Sequence, residues 1–381
     1  MAVRAPQLHR SLHCFCLGAF RLLAEEDADL PFAFEGHESR GRPTLYEYRP
    51  LVRDFVESRA RKLEHRQDAQ LAVQDLRAEP AAALFGEDPF KSVLLPLLLG
   101  VAESCGGFDW DDAAFDRAYD ELEATLFSGR RAYAAVAPLI GLSAGGEVAL
   151  AEGLRVRHAA TGELARHWPE AQSLLPPDFG RETDRLCVLE LERELAAGDA
   201  APDSAGELSD AVTAIRLATA AAAAAGPVLF ERLDWRPFGI KPVLPIAAAQ
   251  PDGEATRLDP FRGRLAAELL ERLALADEDP ELGEALDRWE LSLFQSGASR
   301  EEGLREALTA LLGGTDGVWA ATMRASVLLG ERIDDPGPDA VRRALVETLM
   351  HGDRAGLVAV LDEAMLGRRE APAGYFARAI G

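Results

Sequence analysis

Four groups of residues have the types and spacing for chemistry. The first is Asp109, Asp111, Asp112 and Asp116. Asp112 and Asp116 stand one helical turn apart, where two carboxylates face the same way and can share a divalent cation. Capping is the plainer reading, since acids at a helix start accept orphan N–H groups and suit the positive end of the dipole. The second group is His9, His13, Cys14 and Cys16. His9 and His13 share a helix face, but Cys14 and Cys16 point elsewhere, so tetrahedral zinc from this one helix is strained. The third is the stretch Arg40 to Arg66, with eight bases against four acids and with Tyr46, Tyr48 and His65 interleaved. Guanidinium groups suit phosphates and tyrosines suit unstacked bases, which makes Arg49, Arg53, Arg59 and Arg61 a candidate RNA-binding face. The same residues also fit a solvated face paired with acids elsewhere in the chain. The fourth is Trp235 to Pro242, with two aromatics, two bases and two prolines. It reads as a clamp between parts of the protein or as a recognition loop, and the apolar Val243 to Ala248 that follows favours the clamp.

Helices must position most of these groups. Leu8 to about Leu23 has helical spacing, as does Tyr48 to His65. Ser92 to Ala102 is apolar but too short to cross a bilayer, so a buried helix started or kinked by Pro96 is expected. Phe115, Tyr119, Leu122 and Leu126 recur at three- and four-residue steps behind the aspartates and predict an amphipathic helix. Ala135 to Leu142, Val148 to Leu150 and Leu154 to His158 are short and separated by glycine-rich turns, which predicts strands. Trp168 to Gly180 reads as a loop, Glu182 to Ala197 as a helix carrying Cys187 in its apolar stripe, and Ser209 to Ala225 as an alanine-rich helix. Val228 to Ile246 suggests short edge strands. From Arg262 onward six helical segments are separated by Gly, Pro or Asp, which argues for an antiparallel bundle. Ser299 and Glu302 fit a capping box ahead of Leu304.

The bulk numbers narrow the classes. The chain has 381 residues and a net charge of −23, with 48% apolar and 28% charged residues. That apolar share builds a large core and excludes general disorder. Roughly 150 residues per domain predicts two or three domains. So negative a chain repels nucleic acid and anionic membranes on average, so any phosphate binding needs a local basic patch. No apolar run is long enough for a membrane span. Four scattered cysteines make no disulfide scaffold, Leu12 to Phe20 lacks the length and cleavage site of a signal peptide, and a cytoplasmic location follows as the expectation. Walker, dinucleotide-glycine, HExxH and GxSxG motifs are absent from the sequence.

The C-terminal segments resemble the Apea-like branch of the HEPN superfamily. Ala285 to Glu290, Glu306 to Leu312, Met323 to Gly330 and Met350-His351-Gly352 carry the resemblance, and Pro138 to Ala165 is similar to the region that precedes that domain. The resemblance implies a helical bundle linked to RNA cleavage, RNA binding and bacterial anti-phage defence. It also implies an Arg and a His about five residues apart, usually at a dimer interface. The Arg would hold a phosphate and the His would move protons without a metal. His351 and Gly352 match the terminal pair, but Val346 stands where the Arg belongs and Thr309 replaces an acid in the second helix. Arg343, eight residues before His351 and about 12 Å away along a helix, is the candidate phosphate-facing partner.

The expectation is therefore a mainly α protein. A helical N-terminal region (1–130) and a small α+β middle region (131–255) precede a HEPN-like antiparallel bundle (256–381). Its function reads as RNA or partner binding with lost or weak ribonuclease activity, the pair His351 and Arg343 carrying whatever metal-independent chemistry survives. A structural or adaptor protein is the alternative, and a metal-dependent helical enzyme using Asp112 and Asp116 the second. No cofactor is implied. RNA, a protein partner and a second copy in a homodimer are the candidate partners.

Overall fold

A computed structural model of the chain describes residues 3–26, 30, 32–37, 45–128, 130–159, 187–196, 199–226, 228–242, 256–333, 335–372 and 374. The loop expected at Trp168 to Gly180 lies outside them. The fold is mainly α with a small strand region in the middle of the chain.

The N-terminal helices build their own hydrophobic core. Helix α1 (Pro6–Glu25) starts on Pro6, whose fixed φ and missing N–H suit a first turn. Leu8, Leu12, Phe15, Cys16, Ala19, Phe20 and Leu23 form one buried stripe along it. A backbone hairpin pairs β1 (Phe32–His37) with β2 (Leu45–Pro50). Two short helices follow, α2 (Val52–Glu57) and α3 (Ala60–Glu64), where the sequence suggested a single longer one. Then come α4 (Gln67–Ala78), α5 (Leu95–Cys105) and α6 (Asp112–Ser128). Pro96 stands in the first turn of α5, and Gly106 closes that helix at φ +70°. Asp111 Oδ1 accepts the Ala113 N–H at 2.9 Å at the start of α6. Phe115, Tyr119, Leu122 and Leu126 are all buried, as their spacing predicts.

An antiparallel sheet follows, with strand order β10-β9-β3-β7-β6-β5. These are β3 (Arg130–Ile140), β5 (Val148–Ala151), β6 (Leu154–His158), β7 (Cys187–Ala196), β9 (Val228–Leu233) and β10 (Gly239–Pro242). Short β8 (Ala224–Ala225) pairs the end of β3, and β4 (Leu142–Ala144) pairs in parallel with β11 (Thr256–Leu258). Strand β7 is the clearest departure from expectation, because its Leu, Glu and Arg content reads as helix. Ten residues of β3, from Arg130 opposite Ala196 to Leu139 opposite Cys187, hold it extended. Leu189 and Leu191 then face the core in steps of two, so tertiary pairing overrides propensity.

Helix α7 (Ser204–Thr219) is capped by Asp203, whose side chain accepts the Gly206 N–H. It is buried along most of its length, and its small alanines let neighbours approach closely. It packs against α8 (Pro260–Leu270). Beyond lie α9 (Ala274–Glu278), α10 (Pro280–Ser292), α11 (Gly297–Leu308), α12 (Gly317–Leu329), α13 (Pro338–His351) and α14 (Arg354–Met365). Sheet, α7 and bundle share one continuous core running from Tyr133 to Leu361. The capping box read at Ser299 does not form, because α11 begins at Gly297 and Ser299 falls inside its first turn.

The two cores meet at the clamp. After β9 the chain turns through Asp234 at φ +60°, and Trp235, 3% exposed, joins the N-terminal core with its ring 5.3 Å from that of Phe85. Arg131 pairs with the buried Asp234 at 3.0 Å, and Arg232 pairs with Glu121.

Candidate functional site

The pair singled out at the end of α13 lies on different surroundings. His351 is the last residue of its helix and is exposed, with Nδ1 3.0 Å from the Asp353 carbonyl. Gly352 follows at φ +83° and returns its N–H to Thr348, a left-handed cap that favours glycine. Arg343 is engaged by two carboxylates, Glu331 at Nη2 and Asp339 at 3.1 Å from Nε. Arg342 also reaches Asp339, and donates to the Leu217 carbonyl at 2.9 Å. Burial pushes the Asp339 carboxyl up, but the hydrogen bond from Arg342 and the charges of both arginines hold it below its usual value. No hydrogen bond or ion pair among the described residues joins Arg343 to His351. Val346 is 0% exposed and faces the core. Thr309 lies in a π-turn after α11 and turns its hydroxyl back to the Arg305 carbonyl at 2.7 Å.

The basic stretch is largely tied down. Arg53 donates through Nη2 to the Phe238 carbonyl at 2.7 Å and to Glu103 at 3.2 Å. Arg59 donates to Glu26 at 2.7 Å and to the Phe55 carbonyl at 3.1 Å, and its guanidinium lies 3.5 Å from the centre of the Phe55 ring. Lys62 reaches the same glutamate. Its hydrogen bond, with that of Arg59, keeps the Glu26 carboxyl below its usual value. Arg61 is exposed on α3, and its carbonyl faces His65 Nδ1 at 2.7 Å. Arg49 stands in β2 opposite Ala33, and its side chain lies outside those described. Of the four arginines, Arg53 and Arg59 are thus engaged by carboxylates and carbonyls and have less to offer an RNA backbone, while the Arg61 side chain stands exposed.

The structure brings the first two groups together. Helices α1 and α6 face each other so that His9 Nε2 lies 3.2 Å from Asp116 Oδ1 and His13 Nε2 lies 2.9 Å from Asp112 Oδ1. Trp110 Nε1 donates to the same Asp112 oxygen at 2.9 Å. Hydrogen bonds from His13 and then Trp110 hold the Asp112 carboxyl below its usual value. Phe115 presents its ring to both imidazoles, at 5.4 and 5.1 Å, and Tyr119 packs edge-on against His9 at 4.6 Å. Each carboxylate is thus matched to a different histidine. Cys14 is exposed, whereas Cys16 is buried in the core, which pushes its thiol far up. Among the described residues no group of three or more His, Cys, Asp or Glu is arranged to hold a metal ion.

A further site escaped the sequence reading. Helices α10 and α11 enclose an open groove of about 510 Å³ on the surface of the bundle. Glu281, Glu284, Glu302 and Glu306 line it, against Arg288 and Arg305. Arg288 is shared between Glu284 at 2.9 Å and Glu306, and Arg305 lies 3.5 Å from Glu302. Val318, at the start of α12, also lines it. The next residue, Trp319, is 71% exposed, and Met323 one turn on is exposed with it. Because α12 is apolar nearly all round, sequence alone does not separate this outward face from the buried one formed by Ala321, Ala325 and Leu328.

Among the described residues no helix is long and apolar enough to cross a membrane. Set against known protein families, curated proteins and solved structures, the chain matches none of them.

Proposed function

We propose that this chain is a partner-binding protein, HEPN-like in the layout of its C-terminal helices, whose ribonuclease chemistry is lost. The state of Arg343 carries the reading. A guanidinium that holds a scissile phosphate offers it an uncompensated charge, and the charge of this one is already met by Glu331 and Asp339, although its buried Nε makes no hydrogen bond. His351, its expected companion, ends the same helix and shares no hydrogen bond or ion pair with it among the described residues, which supports the reading. The engagement of Arg53 and Arg59 with Glu103 and Glu26 points the same way.

An exposed tryptophan beside an open acidic groove favours a protein partner over RNA. Large aromatics left in water are a hallmark of protein contact centres. The acidic lining of that groove repels phosphate. Incubation of the full chain with labelled single-stranded RNA in EDTA tests the proposal. The expected result is intact RNA. Cleavage that disappears in His351→Ala overturns it.

A further inference from the structure

The geometry points to the groove between α10 and α11, with its apolar lip on α12, as the docking site for a basic amphipathic helix of another protein. This inference rests on the partner-binding reading and names the partner's chemistry.

Charge selects the occupant. Four glutamates line the groove against two arginines, in a chain that carries −23 overall; Arg354 meets Glu281 at 2.9 Å and Arg288 is shared by Glu284 and Glu306, which leaves Glu302 the most open of the four. Glu302 is 65% exposed and keeps only a 3.5 Å contact with Arg305, so its charge is open to a cation. A second copy of the chain would set acid against acid, and a nucleic acid would set phosphate against carboxylate. Lysines or arginines relieve the excess negative charge.

Shape selects a helix. From Glu281 to Leu291 the outer row of α10 runs about 15 Å, the length of roughly three helical turns. Glu284 and Arg288 lie along that row, and Leu291, almost half exposed, continues it. Val318 belongs both to the groove lining and to the exposed apolar face of α12, so apolar and acidic surfaces are continuous there. A helix laid in such a groove places apolar side chains at i, i+3 and i+4 against Val318, Trp319 and Met323, and cations along its flank against the glutamates. Trp319 is the anchor, because a rigid aromatic removes the most area from water at little entropic cost. Met323 supplies an adaptable second contact.

The probe is a tryptophan-free 18-residue peptide of leucine and lysine in helical pattern, titrated into the full chain with affinity read by calorimetry and tryptophan emission. The same pattern with glutamine for lysine, and a lysine-glycine-serine peptide without an apolar face, serve as comparisons. The leucine–lysine peptide is expected to bind with a blue shift of Trp319 emission, and both comparison peptides at least tenfold more weakly. Trp319→Ser and Glu302→Lys each weaken binding about tenfold with an unchanged melting temperature, while Leu71→Ser, exposed on the distant α4, leaves it unchanged. Equal affinity in Trp319→Ser or Glu302→Lys overturns the proposal. So does a chain that sediments as a dimer until Trp319 is replaced, because the occupant is then a second copy. Loss of the peptide result with RNA still uncut removes this site alone, whereas RNA cleavage removes the partner-binding reading itself.

Discussion

Replacing Glu290 with leucine removes one end of the most deeply buried ion pair among the described residues. Arg216 on α7 and Glu290 on α10 are each 3% exposed. Glu290 Oε1 accepts from Arg216 Nη1 at 3.0 Å and from Thr213 Oγ1 at 2.7 Å. Arg216 Nε goes to the Ala223 carbonyl, and the guanidinium lies 5.1 Å from the Phe294 ring. Glu290→Leu leaves a cation in the core with one carbonyl bond, and also orphans the Thr213 hydroxyl. Breaking such a pair from one side costs about 3–5 kcal/mol, because the surviving charge stays desolvated. Replacing both ends, as Arg216→Met with Glu290→Leu, removes that uncompensated charge. The double variant should therefore recover most of the loss, with a coupling of about 2 kcal/mol or more. Urea unfolding of the wild type, both single variants and the double variant closes the cycle. A single-variant loss below about 1 kcal/mol, or strict additivity, would refute the reasoning. Either would mean that the pair does not hold α7 to the bundle.

Four other outcomes follow from the same structure. Trp235→Ala empties a site in the N-terminal core and should cost about 3–5 kcal/mol, measured by calorimetry, and separate melting of the two cores would show the clamp released. Val346→Arg restores the residue type the HEPN resemblance asks for, at a position facing the core; it should destabilise by about 3 kcal/mol or more and give no RNA cleavage. Gly352→Ala forces a side chain into φ +83°, at a cost of about 1–2 kcal/mol in urea. Asp112 has a carboxyl held below its ordinary value of 3.8, so its contribution is present above that value and lost as pH falls through the lowered one. Asp112→Asn should accordingly lower the melting temperature at pH 5–6, with the difference closing in stronger acid.

Much of the fold was legible because burial repeats. Phe115, Tyr119, Leu122 and Leu126 mark α6 by spacing alone, and Leu154 with Val156 mark β6. Trp235 reached the N-terminal core as a clamp should. Strand β7 was read as helix from the helix propensity of its Leu, Glu and Arg residues, although Leu-Glu-Leu-Glu also alternates with the period of a strand, and pairing with β3 along ten residues decides for the strand. The histidine–aspartate contacts were half legible. Each i,i+4 pair shows in the sequence, but a hundred residues separate them, and only packing of α1 on α6 makes each the other's partner. The partners of Arg53 and Arg59 were out of reach of the sequence for the same reason, because Glu26, Glu103 and the Phe238 carbonyl come from other elements. The acidic groove needed two helices and a third that also lines it, and no local pattern announces that.

On the proposed function, this chain binds a protein partner and neither cuts nor grips RNA. The salt dependence of its affinity for labelled single-stranded RNA, measured in EDTA beside His351→Ala, tests it most directly. The expected result is no binding that steepens as salt is lowered, and uncut RNA with either protein. A slope of about −0.7 for each neutralised phosphate, with cleavage lost in His351→Ala, would contradict it.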